Sequence, residues 1–130
     1  MQRSAQYASR ISSRFLIPEG YTGWVRVEFE VKDAPPLLVE RGEYVLRIPA
    51  SGALMTSSPE QYGWAKDSYY FYSGAGSRQI QDSGPDSLIW GKINGEASGS
   101  SSGTRKYEEF FVGTNQQFKA QLGANGQAVP

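Results

Sequence analysis

Two residue types are missing from this chain: it has no cysteine and no histidine. Nucleophilic sites of the Ser-His-Asp and Cys-His kinds are thereby excluded, since each needs an imidazole base or a thiolate. Zinc, copper, haem and iron–sulfur centres lose their customary ligands for the same reason, and no cofactor or metal is expected. Only carboxylate chemistry and oxygen-ligand cation sites stay open. A surplus of one charge sign is also missing, with 13 Lys plus Arg against 13 Asp plus Glu and a pI near 6.3. A nucleic-acid partner would call for a basic excess, so none is expected. Long apolar runs are absent too, and no stretch approaches the roughly 20 residues of a membrane span. Residues 1–13 lack the continuous apolar segment of an export signal. Their Arg3 and Arg10, with Arg14 just beyond, read as a solvated leader rather than a binding arm.

What is present is punctuation. Fifteen glycines and seven prolines divide 130 residues into short aromatic or β-branched runs, the rhythm of an antiparallel β fold. The clearest strand runs from Trp24 to Val31, with Val25, Val27, Phe29 and Val31 on one face and Trp24, Arg26, Glu28 and Glu30 on the other. Lys32-Asp33-Ala34-Pro35-Pro36 then breaks the ladder. A second strand spans Glu43 to Pro49, with Tyr44, Leu46 and Ile48 inward, and Ala53 to Thr56 reads as its return strand. Asp67 to Ser73 is a third strong strand, and 73–87 reads as loop. Ser87 to Asn94 is a strand in which Gly91 marks a bulge. Glu96 to Thr104 reads as a flexible loop, Lys106 to Val112 as the last strand, and Thr114 or Asn115 caps one short helix over 116–122.

The expected architecture is therefore an all-β, small antiparallel two-sheet sandwich, transthyretin-like or immunoglobulin-like. It has six to eight strands and one short C-terminal helix. One domain covers 14–122, between a flexible leader at 1–13 and a flexible tail at 123–130.

No catalytic set can be assembled from these residues. Glu108 and Glu109 are adjacent in a strand and point to opposite faces, and like Asp82 and Asp86 they read as solvated acids. The candidate contact residues are aromatic. Trp24 shares a face with charged side chains, Trp64 follows Gly63, and Tyr70 and Tyr72 share one face of a strand whose other face carries Tyr69 and Phe71. Rings on both faces read first as a central strand between core layers, which a small sandwich needs to fill its core, with a platform for a sugar or an extended peptide as the alternative.

Several segments taken together resemble an uncharacterised bacterial family of small, often exported domains of unknown function. They are Phe15-Leu16-Ile17-Pro18-Glu19-Gly20-Tyr21-Thr22-Gly23-Trp24-Val25, Ile48-Pro49 with Gly52, Tyr62-Gly63-Trp64 and Phe110-Phe111-Val112-Gly113-Thr114. The resemblance implies export, periplasmic or extracellular, with a cytoplasmic location as the alternative, and carries over no functional residues. The strand rhythm is also similar to transthyretin-like and carboxypeptidase-regulatory-like sandwiches. The expected function is that of a non-enzymatic binding or accessory module. Trp24, Trp64, Tyr70 and Tyr72 would contact a glycan, peptide or envelope protein. The alternatives are a structural subunit that assembles through sheet edges and a carboxylate-dependent hydrolase.

Overall fold

The computed structural model describes residues 10–61, 63, 65–99 and 103–122, with the side chains of 97–99, 103 and 104 excepted. The expected leader (apart from its last four residues) and tail, and Tyr62 and Trp64, lie outside the described residues.

Among the described residues, nine strands form two sheets. They are β1 (Ser13–Pro18), β2 (Gly23–Phe29), β3 (Leu38–Glu40), β4 (Glu43–Arg47), β5 (Ala53–Met55), β6 (Ser68–Ser73), β7 (Gly76–Gln79), β8 (Ile89–Gly99) and β9 (Gly103–Val112). The helix α1 spans Asn115–Gln121. One sheet has the order β3-β4-β1-β6-β7 and the other β5-β2-β9-β8. The mostly-β, two-sheet plan with a single C-terminal helix is as the sequence implies, with more strands than expected.

The expectation of antiparallel sheets is corrected, because β1 pairs parallel with both β4 and β6, and β2 pairs parallel with β5. Only the hairpins β3/β4, β6/β7 and β8/β9, with β2/β9, are antiparallel. The cause is a chain that keeps crossing from one sheet to the other. It passes from one sheet to the other between β1 and β2, β2 and β3, β4 and β5, and β5 and β6. The parallel partners β1/β4, β1/β6 and β2/β5 are therefore never consecutive in sequence, and no hairpin joins them. For this reason Ala53–Met55 is not the return strand of β4 and joins β2 in the facing sheet. The plan therefore departs from the all-antiparallel immunoglobulin sandwich.

Three boundaries differ for local reasons. The strand expected to reach Val31 stops at Phe29, because Glu30 takes a left-handed backbone (φ 58°). The 73–87 segment contains β7, paired with β6 from Tyr70↔Gln79 to Ser73↔Gly76. The Ser- and Gly-rich stretch read as a loop is largely the end of a long hairpin, paired as far as Gly99↔Gly103. Low complexity hid it, because small residues leave no apolar alternation to read.

The core lies between the sheets. Phe15, Ile17, Val25, Val27, Ile48, Phe110 and Val112 are fully buried. Phe15 stacks on Tyr69 with centroids 5.1 Å apart, and Phe110 meets both rings edge-on at 5.1 and 5.2 Å. This three-ring contact joins β1 and β6 of one sheet to β9 of the other. On the far side of the four-stranded sheet, α1 starts at Thr114, whose hydroxyl accepts from Gln117 N while the Gln117 side chain accepts from Thr114 N. That capping box fixes the helix so that Phe118 reaches Trp24, Trp90 and Phe111, at 6.2, 6.1 and 5.6 Å between centroids.

Candidate functional site

Two places gather side chains with chemical potential: the outer face of the five-stranded sheet, and a charged cluster where the two sheets meet.

The outer face follows from strand alternation. In β6, Tyr69 and Phe71 are buried in the core, so Tyr70 and Tyr72 face outward, half-buried. Register places Leu16 and Pro18 of β1 on one side of these tyrosines and Gln79 and Ser77 of β7 on the other. Two depressions open on this face. The larger, about 590 Å³, is bordered by Tyr70, Ser68, Gln79, Glu43 and Asp67. The smaller, about 350 Å³, is bordered by Tyr72, Leu16, Leu38, Val45, Arg14 and Arg47. Arg47 lies over the Tyr72 ring at 5.0 Å, and the Tyr72 hydroxyl donates to Ile48 O at 3.2 Å, so the ring is held in place. Arg14 sits between Glu40 and Glu43, at 3.4 and 3.6 Å.

The other candidate aromatics do not join this face. Trp24 is on the outer face of the opposite sheet, under α1. Its indole N–H donates to Gln121 Oε1 at 2.6 Å, and Phe111 and Phe118 pack edge-on against it. The far edge of the indole, together with the Phe118 ring, closes over Gly91. Tyr70 and Tyr72 are therefore adjacent to each other and remote from Trp24.

The charged cluster begins with the bulge at Gly91. Trp90 pairs with Phe111 and Ile93 with Glu109, so Gly91 and Lys92 together oppose Phe110. Gly91 has φ 63°, a left-handed conformation that glycine takes without a Cβ penalty. The extra residue reverses the alternation. Ile93 turns out to solvent, 48% exposed, and Lys92 turns inward. Its ammonium donates to Asp67 Oδ2 at 2.9 Å and to the Tyr69 hydroxyl at 2.8 Å, and lies 3.1 Å from Glu108 Oε2. Arg10 grips Asp67 with both fork nitrogens at 3.0 and 2.9 Å, and Ser13 N donates to the same carboxylate at 2.9 Å. Arg10, which the sequence places in the leader, is thus tied into the fold.

The two acids titrate in opposite directions. Burial works to raise the Asp67 carboxyl, but hydrogen bonds from Arg10, Lys92 and Ser13 N outweigh it and hold the group below the usual carboxylate range. Burial dominates at Glu108 and raises its carboxyl despite Lys92. Glu108 is thus not the solvated acid expected. It faces inward beside Phe110, while Glu109 faces out to Arg26 at 3.3 Å, so the opposite-face reading of the pair holds. Burial also raises the Tyr69 phenol.

A pH prediction follows. Because the folded protein prefers Glu108 protonated, its stabilising contribution is full below the ordinary carboxyl value of 4.5 and is lost as pH rises through the higher folded value. Urea unfolding of wild type and Glu108→Gln should therefore show the variant gaining on wild type as pH rises from 4.5. A difference constant with pH would contradict the burial of Glu108.

Two acids meeting near one site, one with a raised pKa, is a pattern that hydrolases use. Here they converge on a lysine, not on a cleft. The cavity beside Glu108 has about 20 Å³, room for one water, and Asp67 borders a different opening. Among the described residues no three acidic side chains converge as metal ligands, and no helix is long and apolar enough to cross a membrane.

The model of DUF6843, a family of unknown function, matches residues 9–122. The chain belongs to this family. A solved structure described as a putative lipoprotein from Bacillus anthracis superposes with a TM-score of 0.71 at 27% identity. The match covers 94% of this chain and 82% of that one. No curated protein matches the chain. The resemblance read from the sequence is thus to a family that itself has no assigned function. Within this DUF6843 chain, the sequence singles out Tyr70 and Tyr72, which the structure places together on one outer face, and does not single out Arg10, Asp67 or Lys92. The available signal was Gly91, because a one-residue bulge there inverts every side chain after it.

Proposed function

We propose that this DUF6843 domain is a non-enzymatic binding module of the bacterial cell envelope. It takes a carbohydrate on the outer face of the five-stranded sheet. The observation that carries this reading is the pair Tyr70 and Tyr72, two residues apart in β6, half-exposed, and each bordering a depression. A sugar presents C–H faces that stack on such rings, and its hydroxyls find partners in Gln79, Ser77 and the Glu43 carboxylate. Trp24, whose indole is committed to Gln121 and to Phe118, takes no part in this reading. An exported location is supported by the likeness to the Bacillus anthracis protein described as a lipoprotein.

Isothermal titration against soluble fragments of cell-wall glycan tests the proposal. Tyr70→Ala with Tyr72→Ala should weaken binding by tenfold or more, roughly 1.4 kcal/mol or above, with the fold unchanged by circular dichroism. Equal affinity in the double variant, or no binding by wild type, would sink it.

A second reading, assembly through sheet edges, is favoured by Leu38 and Val39. These neighbours on edge strand β3 are 64% and 56% exposed. Light scattering on a gel-filtration column decides it, because a strict monomer at high concentration rejects assembly.

A further inference from the structure

We propose that Lys92 and Asp67 condense within the folded protein to an isopeptide bond, Nζ to Cγ, with Glu108 as the proton shuttle. This stands on the charged cluster alone and is independent of the carbohydrate reading.

The geometry separates the two oxygens of the Asp67 carboxyl. Oδ2 faces the nucleophile, with Lys92 Nζ at 2.9 Å. Oδ1 receives Ser13 N–H at 2.9 Å and Arg10 Nη1 at 3.0 Å, while the second fork nitrogen, Arg10 Nη2, donates to Oδ2 at 2.9 Å beside the amine. Two fixed donors on the oxygen away from the attacking amine form the arrangement that stabilises a tetrahedral oxyanion. Nζ also lies within 5.3 and 5.4 Å of the Phe15 and Tyr69 ring centroids, and the Asp67 and Glu108 side chains are only 7% and 13% exposed. Apolar burial works against the charged forms, but the Lys92 side chain is 32% exposed, and the hydrogen bonds and opposite charges around the pair hold the Asp67 carboxyl below and the Lys92 ammonium above their ordinary values. The uncharged amine and acid that must react therefore form only rarely, and the condensation is slow. The Gly91 bulge is what delivers Lys92 here; regular alternation would leave it on the solvent face.

The step balances without an outside reactant. One proton passes from Nζ to Oδ2 along their hydrogen bond, leaving a neutral amine and a neutral acid. The Nζ lone pair then bonds to Cγ, and the displaced π electrons rest on Oδ1. Glu108 takes the next proton from Nζ and delivers it to Oδ2. The electron pair on Oδ1 then re-forms the carbonyl, the Cγ–Oδ2 bond breaks with its own pair, and Oδ2 leaves as water. The ammonium has lost two protons, both now in that water, the amide keeps one, and Glu108 ends as it began. Its Oε2 lies 3.1 Å from Nζ, and burial makes its carboxyl hold a proton more readily than an ordinary carboxylate. Holding both partners in contact replaces a bimolecular encounter by an intramolecular one, which drives the condensation. The product would staple β8 of one sheet to the segment entering β6 of the other.

Intact-mass spectrometry of the whole folded chain tests the proposal. The expected result is a mass one water below that of the sequence. Proteolysis should yield a branched peptide joining the Asp67 and Lys92 segments. Lys92→Arg and Glu108→Gln should both carry the full mass. The wild-type measurement decides the bond even if a variant fails to fold. Full mass in wild-type protein kept folded for days at neutral pH overturns the proposal. So does a missing water traced to a succinimide at Asp67-Ser68, or to a link between Lys92 and Glu108. A branched peptide that persists in Glu108→Gln overturns the shuttle.

Discussion

Phe110→Ala is expected to cost about 4 kcal/mol of folding free energy, a large share of the roughly 5–15 kcal/mol that a domain of this size holds. Phe110 is fully buried and makes edge contacts with Phe15 and Tyr69 in the opposite sheet. Truncation removes both contacts and leaves a cavity walled by two rings from central strands, which cannot collapse without moving β1 and β6. It also strips the apolar floor opposite Gly91 and Lys92, so the charged cluster should loosen with it. Urea denaturation measures the loss. A cost under about 1 kcal/mol would mean that the sheets do not meet at this ring.

Gly52→Ala is expected to cost about 3 kcal/mol, from two sources acting together. Gly52 has φ 84°, where any Cβ is strained. A Cβ there would also lie 2.6 Å from the Trp24 carbonyl oxygen and overlap the Tyr21 hydroxyl, which donates to that same oxygen. The Trp24 contact is backbone in β2 and cannot swing aside. Relief would pull Gly52 O away from Arg26 N, which it meets at 2.8 Å, and so detach β5 from β2. Gly20 supplies the control, since it has the same φ of 84° and nothing within 4 Å of the added atom. Gly20→Ala should cost only about 1 kcal/mol, the backbone strain alone. Thermal or urea unfolding of the pair checks the contrast, and equal effects would show that the crowding around Gly52 is misplaced.

The faces of individual strands were legible in the sequence. Val25, Val27 and Phe29 against Trp24, Arg26 and Glu28 is a clean period of two, and the structure buries one set and half-exposes the other. The same rule separated Tyr69 and Phe71 from Tyr70 and Tyr72, but with rings on both faces it did not say which pair lies inside; the structure buries the first pair. Which strand lies beside which was not legible, because alternation says that a strand is half-buried and nothing about its partner. Ala53–Met55 could follow β4 by a tight turn or cross to β2, and its three residues carry no pattern that distinguishes these. The hairpin of β8 and β9 was hidden in its low-complexity stretch, where pairing rests on backbone bonds alone.

The charged cluster illustrates a different limit. Arg10, Asp67, Lys92 and Glu108 are scattered over nearly a hundred residues, and only the bulge glycine beside Lys92 hints at their meeting. Their meeting depends on a parallel β1/β6 pairing that brings Ser13 and Arg10 to Asp67, and on a bulge that turns Lys92 inward. A regular strand through Gly91 would have kept Lys92 apart from Glu108. Trp24 has the outward strand face and partial exposure that alternation predicts, but a helix whose docking the sequence did not reveal packs over that face.

The proposed function rests on carbohydrate binding at the outer face of the five-stranded sheet. Amide chemical-shift mapping during titration with cell-wall glycan fragments tests it most directly. The account predicts that the perturbed amides cluster on β1, β4, β6 and β7, centred on Tyr70 and Tyr72. Perturbations confined to α1 and the Trp24 face, or none at saturating glycan, would contradict it.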